Sequence, residues 1–124
     1  MRLVLLGSSG RQSLVTLQSL IRLDIKPLAV AASGLQIPTT PSLGGIAVQT
    51  DDPHGNLAGL AYRHGIRLLD MAAQDVLAEL AELAPDVILV SCYPQRLSSQ
   101  LLSLPRCGCF NIHPSLLPRY RGPS

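Results

Sequence analysis

Short apolar runs alternate along the chain with segments in which apolar residues recur every three or four positions. An uninterrupted apolar run is typical of a strand buried on both faces, whereas the longer spacing is typical of a helix that buries one face. The runs predict five strands, at residues 2–6, 28–32, 66–69, 87–90 and 109–113. The spacing predicts four helices between them, which end near Leu23, Gly65, Ala84 and Leu104.

The connecting segments contain residues that interrupt regular structure. A glycine turn at residues 7–10 follows the first strand, and residues 33–45 are rich in Pro, Gly, Thr and Ser, which predicts a loop. Residues 51–53, Asp-Asp-Pro, predict the start of the second helix, because acidic residues and proline favour the first helical turn. Residues 73–84 predict the third helix, which Pro85 ends.

Strands that alternate with helices predict an α/β fold with an open, mainly parallel, doubly wound (Rossmann-like) sheet. We expect one domain, or a truncated one, in residues 1–124. Ligands of such sheets bind beyond the carboxyl ends of the strands. We therefore expect residues 7–10, the loop that begins at Cys92, and residues 111–118 to lie along one edge.

Composition narrows the class of protein. The 124 residues are 47% hydrophobic and 15% charged, which excludes a disordered tail. No apolar run is long enough to cross a bilayer, so we expect a soluble, cytoplasmic protein with no membrane partner. A net charge of +2 is too small to indicate nucleic acid. The cysteines, Cys92, Cys107 and Cys109, lack the spacing of a zinc site, and we expect buried free thiols and no metal.

Asn111 and His113 are the residues best suited to chemistry. Side chains two positions apart on an extended segment share a face, while Ile112 faces the opposite way. An amide can donate to an oxygen that becomes negative, and an imidazole can move a proton near neutral pH. The pair suits acyl or formyl transfer. Taken alone, an Asn-x-His is more simply explained by local backbone contacts before Pro114.

The residues that follow His113 strengthen the interpretation that this pair takes part in acyl or formyl transfer. Residues 110–122 read Phe-Asn-Ile-His-Pro-Ser-Leu-Leu-Pro-Arg-Tyr-Arg-Gly, which resembles the signature of enzymes that use 10-formyltetrahydrofolate. A weaker likeness extends through the glycine turn and residues 91–97. The chain is thus similar to the 10-formyltetrahydrofolate-dependent formyltransferase family, in particular to the amino-terminal catalytic domain of its methionyl-tRNA branch.

The resemblance implies roles for individual residues. Asn111 would polarise the formyl carbonyl, and His113 would transfer the proton beside the reacting nitrogen. The formyl donor would be 10-formyltetrahydrofolate and the acceptor an amine. The residues expected to contact the folate are Tyr93, Gln95, Arg96, Leu97, Ser115, Leu116, Leu117 and Pro118. The family also has an aspartate some tens of residues after the histidine, which orients the imidazole. Since this chain stops at Ser124, we expect it to be inactive or nearly so by itself.

Besides the missing aspartate, the chain differs from that family in two places. Pro94 stands where relatives often have glycine, which removes one N–H from the loop expected to hold the pterin. No Lys or Arg lies between Lys26 and Arg63, so the basic loop that helps the tRNA-binding branch is missing. The acceptor could be tRNA, a small amine or an amino sugar. Hydrolysis of the same folate and an inactive folate-binding remnant are the alternatives. We also expect dimerisation through an exposed sheet edge.

Overall fold

The structure is a computed structural model and is described here for residues 1–35 and 55–119. In chain order the elements are β1 (Leu3–Gly7), α1 (Arg11–Arg22), β2 (Ala29–Ala32), α2 (Leu57–Arg63), β3 (Arg67–Asp70), α3 (Val76–Glu82), β4 (Val87–Ser91), α4 (Ser99–Ser103) and β5 (Gly108–Ile112). The strands form one parallel sheet in the order β3-β2-β1-β4-β5. The predicted α/β class and open, doubly wound sheet are confirmed.

Among the described residues, one pair of helices covers each face of the sheet. Leu17 of α1 and Leu57 of α2 pack with Leu5 of β1 on one face. Leu80 of α3 and Leu101 of α4 pack with alternate residues of the same strands on the other face. Because side chains alternate along a strand, a fully apolar strand such as β1 supplies both cores. The sheet therefore holds the carboxyl ends of β1, β4 and β5 side by side.

Two helices begin later than the periodicity predicts. Gly55 has a φ of 64° and Asn56 is extended, so α2 begins at Leu57, where the Asn56 side chain accepts a hydrogen bond of 2.6 Å from the Gly59 N–H. The predicted start at residues 51–53, and most of the predicted loop at 33–45, lie outside the described residues. The chain after β3 turns through residues 71–75, because Asp70 accepts the N–H of Ala72, and α3 therefore starts at Val76.

The turn after β1 requires glycine at one position. A Cβ on Gly7 would lie 2.7 Å from Oγ and 2.9 Å from Cβ of Ser13. That closeness lets the Ser13 hydroxyl accept the Ser8 N–H at 3.0 Å and donate to the Ser91 carbonyl at 2.7 Å. The start of α1 is thereby attached to the end of β4, which is the strand that leads into the cleft described below.

The expectation that the three cysteines are buried is wrong for two of them. Cys92 and Cys107 are exposed rather than buried, because each lies in a connection at the end of a strand, whereas Cys109 within β5 is partly buried. Within the described ranges, no group of histidine, cysteine and carboxylate side chains could hold a metal ion. None of the described helices is long and apolar enough to cross a membrane.

Candidate active site

A cleft of about 760 Å³ lies beyond the carboxyl ends of β4 and β5. Its walls come from the loop after β4 and from the segment that ends β5 and continues past it. The lining residues are Val90, Cys92, Tyr93, Pro94, Gln95, Arg96, Leu97, Asn111, Ile112, His113, Pro114, Leu117 and Pro118. The parallel sheet thus brings together two segments that are some twenty residues apart in the sequence, since β4 and β5 are neighbours.

Most of the site residues predicted from the sequence line this cleft. They are Tyr93, Gln95, Arg96, Leu97, Asn111, His113, Leu117 and Pro118. Two of the predicted residues do not: Leu116 is 80% exposed, and Ser115 contacts the imidazole of His113 instead. Asn111 and His113 both line the cleft, but Ile112 between them, which was expected to face the opposite way, lines it as well.

The glycine turn at residues 7–10 lies where the sequence predicts, at the carboxyl end of β1. It lies at the same edge of the sheet, but it does not line the cleft. Ser9 instead lines a second, smaller pocket of about 260 Å³, together with Gly34 and Leu35 after β2 and the start of α2. The backbone N–H of Gly10 donates to the Ser8 hydroxyl at 3.2 Å, which is a contact within the turn.

The loop after β4 is held against the core while presenting polar groups to the cleft. Tyr93 and Leu97 pack against the hydrophobic core that lies between the sheet and helices α3 and α4. The Tyr93 hydroxyl donates to Oε1 of Gln95 at 3.1 Å. Cys92 has a φ of 51°, in the left-handed region, so the chain turns sharply where β4 ends. An apolar wall with a few fixed polar groups suits a flat heterocyclic ligand.

The charge that lines the cleft is positive. Arg96 is the cationic side chain among the lining residues, and no carboxylate of the described chain lines the cleft. The two ion pairs among the described residues, Arg67–Glu79 and Arg106–Asp86, lie elsewhere. The cleft is therefore electrostatically suited to a ligand that carries negative charge or develops it during a reaction.

No sequence pattern indicates Gln12, which joins the two walls of the cleft. Its amide oxygen accepts the Cys92 thiol at 2.6 Å, and its Nε2 donates to the carbonyl of Ile112 at 3.4 Å. Thr16, one helical turn further along α1, shares a hydrogen bond of 2.9 Å with the Ser91 hydroxyl. No local sequence signal reveals these contacts, because they join α1 to residues about 75–100 positions away.

Known proteins of similar sequence and structure bear on this geometry. The family model described as formyl transferase matches residues 47–124. The methionyl-tRNA formyltransferase of Geobacter metallireducens is 42% identical over 88 residues, which cover 62% of this chain and 28% of that protein. The methionyl-tRNA formyltransferase of Aromatoleum aromaticum is 37% identical over 105 residues, covering 76% of this chain and 31% of that protein. The chain thus spans under one third of the length of these relatives.

A solved structure supports the fold independently. The sugar N-formyltransferase from Shewanella sp FDAARGOS_354 superposes on 95% of this chain and 41% of its own, with a TM-score of 0.52 and 17% sequence identity. At that identity the likeness concerns the fold alone. The family match covers more than half of the chain, includes every residue that lines the cleft, and agrees with the resemblance of residues 110–122. The chain therefore belongs to the formyl transferase family.

Proposed function

We propose that the cleft binds 10-formyltetrahydrofolate and supports transfer of its formyl group to an amine. The observation that carries this proposal is the presence of Asn111 and His113 at the end of β5, in the wall of a largely apolar cleft. Its volume of about 760 Å³ lies within the range of pockets that hold ligands of this size. The flat ring would lie against the loop of residues 93–97, with the formyl group toward Asn111 and His113.

Formyl transfer requires one bond to form and one to break at the formyl carbon. The amine nitrogen attacks the formyl carbon and forms a new bond to it. The bond between the formyl carbon and the folate nitrogen then breaks, and one proton passes from the amine to the folate nitrogen. Negative charge gathers on the formyl oxygen along the way, and the side-chain N–H of Asn111 is suited to donate to it. His113 is the group suited to handle the proton.

We propose a small amine or an amino sugar as the acceptor rather than a tRNA. The matched relatives are named for methionyl-tRNA, and the structural neighbour is named for a sugar. The sequence has no Lys or Arg between Lys26 and Arg63. Contacts with the phosphates of a nucleic acid depend on such charges. A panel of amines that includes both classes separates these acceptors.

Calorimetry with 5-formyltetrahydrofolate, a stable analogue, tests the folate proposal on the purified chain. We expect saturable heat that 10-formyltetrahydrofolate competes away, with circular dichroism confirming that the sample is folded. A folded chain that gives no heat would overturn the proposal. In a turnover assay, formylated amine supports transfer, release of formate without an amine identifies hydrolysis, and binding without either product identifies a folate-binding protein only.

We expect little turnover from residues 1–124 alone. In the described part of the chain His113 is paired with the Ser115 hydroxyl and with no carboxylate. A carboxylate stabilises the imidazolium that forms when the ring takes up a proton. A version extended through the next aspartate should therefore be faster, and equal rates for the two versions would show that no carboxylate is needed.

A further inference from the structure

Ser115 contacts the imidazole of His113 with two of its polar groups. Its hydroxyl lies 2.7 Å from Nδ1 of His113, and its backbone N–H donates to the same nitrogen at 3.3 Å. Both residues are partly buried. The ring is therefore held from the side of Nδ1, and Nε2 is the nitrogen that Ser115 leaves for other groups.

The backbone contact determines which ring nitrogen carries the proton. A backbone N–H has no lone pair and can only donate, so Nδ1 must accept and is unprotonated in this geometry. A neutral imidazole carries one proton, which is then on Nε2. The hydroxyl can also donate to Nδ1, which reinforces the same tautomer. The hydrogen bond at one ring nitrogen generally sets the state of the other.

We propose that Ser115 is a positioning residue that selects the Nε2–H tautomer of His113. Its catalytic meaning rests on the proposed function, while the tautomer itself does not. His113 lines the cleft, so in this tautomer the imidazole joins the Asn111 amide as a second donor toward the cleft. Two donors at the cleft are suited to stabilising an oxygen that becomes negative.

The hydroxyl also suits the protonated ring. An imidazolium carries N–H on both nitrogens, and its Nδ1–H needs an acceptor. A serine hydroxyl has lone pairs as well as a proton, so Ser115 can accept from Nδ1–H after His113 takes up a proton, once the Ser115 backbone N–H has turned away from that nitrogen. Because Ser115 does not line the cleft, its effect on the reaction acts through His113 and not through the ligand.

Nitrogen NMR of the purified chain tests the tautomer directly. Long-range proton–nitrogen correlation spectra of ¹⁵N-labelled protein, recorded at pH 8 with His113→Gln to assign the ring, distinguish a protonated from an unprotonated nitrogen. We expect Nδ1 in the unprotonated range and Nε2 in the protonated range. In Ser115→Ala the shift difference between the two nitrogens should decrease, because the shorter contact is lost, and Ser115→Thr should restore it.

A second measurement separates positioning from ligand contact. Affinity for 5-formyltetrahydrofolate should be the same in Ser115→Ala as in the unmodified chain, and backbone amide spectra would verify that the variant is folded. A protonated Nδ1 in the unmodified chain would overturn the proposal. Ring shifts that Ser115→Ala leaves unchanged would overturn the part that concerns the hydroxyl, because the backbone N–H remains in that variant. Loss of affinity in the variant would instead make Ser115 a ligand contact. Because the spectra need no ligand, a chain that binds no folate leaves this test intact.

Discussion

The thiol of Cys92 donates a hydrogen bond of 2.6 Å to the amide oxygen of Gln12, so the first turn of α1 is attached to the mouth of the cleft. The same amide reaches the carbonyl of Ile112, the residue between Asn111 and His113. One side chain thus links the two walls. The thiol itself is exposed and lines the cleft, which makes it a natural reporter of what binds there.

Bound ligand should protect Cys92 from alkylation. We expect 5-formyltetrahydrofolate at saturating concentration to slow the reaction of Cys92 with a maleimide, because a ligand in the cleft covers the thiol. Peptide mass spectrometry after timed labelling measures the rate at each cysteine. The two other cysteines are internal controls in the same sample.

Cys107 and Cys109 should respond differently. Cys107 is exposed but lies before β5, at the opposite end of the strand from the cleft, so its labelling should be independent of ligand. Burial raises the pKa of the Cys109 thiol, so at neutral pH less thiolate is present and labelling should be slowest there. Equal protection of Cys92 and Cys107 would place the ligand outside the cleft.

Removing Asn111 or His113 should lower turnover more than folate affinity. Both side chains are suited to charge that develops during the reaction rather than to the ground state. In an active preparation, Asn111→Ala should lower kcat by roughly a hundredfold or more, as loss of one oxyanion donor does. Steady-state kinetics and calorimetry measure the two effects separately. Leu116→Ala is the matched control, since that exposed side chain lies outside the cleft.

Asp86 should make the fold sensitive to acid. The Arg2 backbone N–H and the Arg106 side chain donate to its carboxylate at 2.8 Å and 3.0 Å, and these contacts hold its pKa below the ordinary 3.8. A lowered folded-state pKa gives stability that is complete above the unfolded pKa and lost as pH falls through the folded pKa.

Urea denaturation of the chain and of Asp86→Asn across pH 7 to 3 measures this contribution. The unmodified chain should be more stable at pH 6, and its advantage should shrink below about pH 4 as Asp86 protonates. Glu79→Gln is the control, because the Arg67–Glu79 pair is solvent exposed and contributes little. A pH-independent difference between the chain and Asp86→Asn would contradict the assignment.

Gly7→Ala should destabilise the fold by about 1–3 kcal/mol, the usual cost of forcing extra atoms into a packed site. The added Cβ would lie 2.7 Å from the Ser13 hydroxyl, which is attached to Ser91 and cannot move freely. Gly10→Ala is the matched control in the same turn, because its Cβ would meet only the Ser8 hydroxyl at 3.2 Å and its φ is −73°. Thermal unfolding measures the stability of both variants, and Gly7→Ala should lose more stability than Gly10→Ala.

The edge strand β5 should promote self-association. It ends the strand order, and Phe110 and Ile112 on it are 55% and 40% exposed. Unpaired edges with apolar side chains favour pairing between copies. Sedimentation at increasing concentration should show dimers that Phe110→Lys reduces, whereas Tyr62→Lys, an exposed aromatic residue on α2, should leave association unchanged.

Local patterns along the chain were enough to predict the alternating elements and to indicate two residues that line the cleft. Apolar runs and helical spacing depend on neighbours a few residues apart, so strands and helices could be inferred with ends shifted by a few residues. Asn111 and His113 could be proposed for the same reason, because the motif that contains them is continuous. The predicted start of α2 was too early. Gly55 and Asn56, rather than the acidic residues before them, determine that the helix begins at Leu57.

Only the tertiary structure decided which segments meet. The order β3-β2-β1-β4-β5 places β4 beside both β1 and β5, and that arrangement forms the cleft and excludes the glycine turn from it. The Gln12 bridge depends on contacts across 80 and 100 residues, which no local pattern encodes. Ser115 lies inside the predicted motif, yet its direction toward His113 depends on how the chain turns after β5. Composition and spacing act over short distances, whereas a site is assembled by the crossovers that close the sheet.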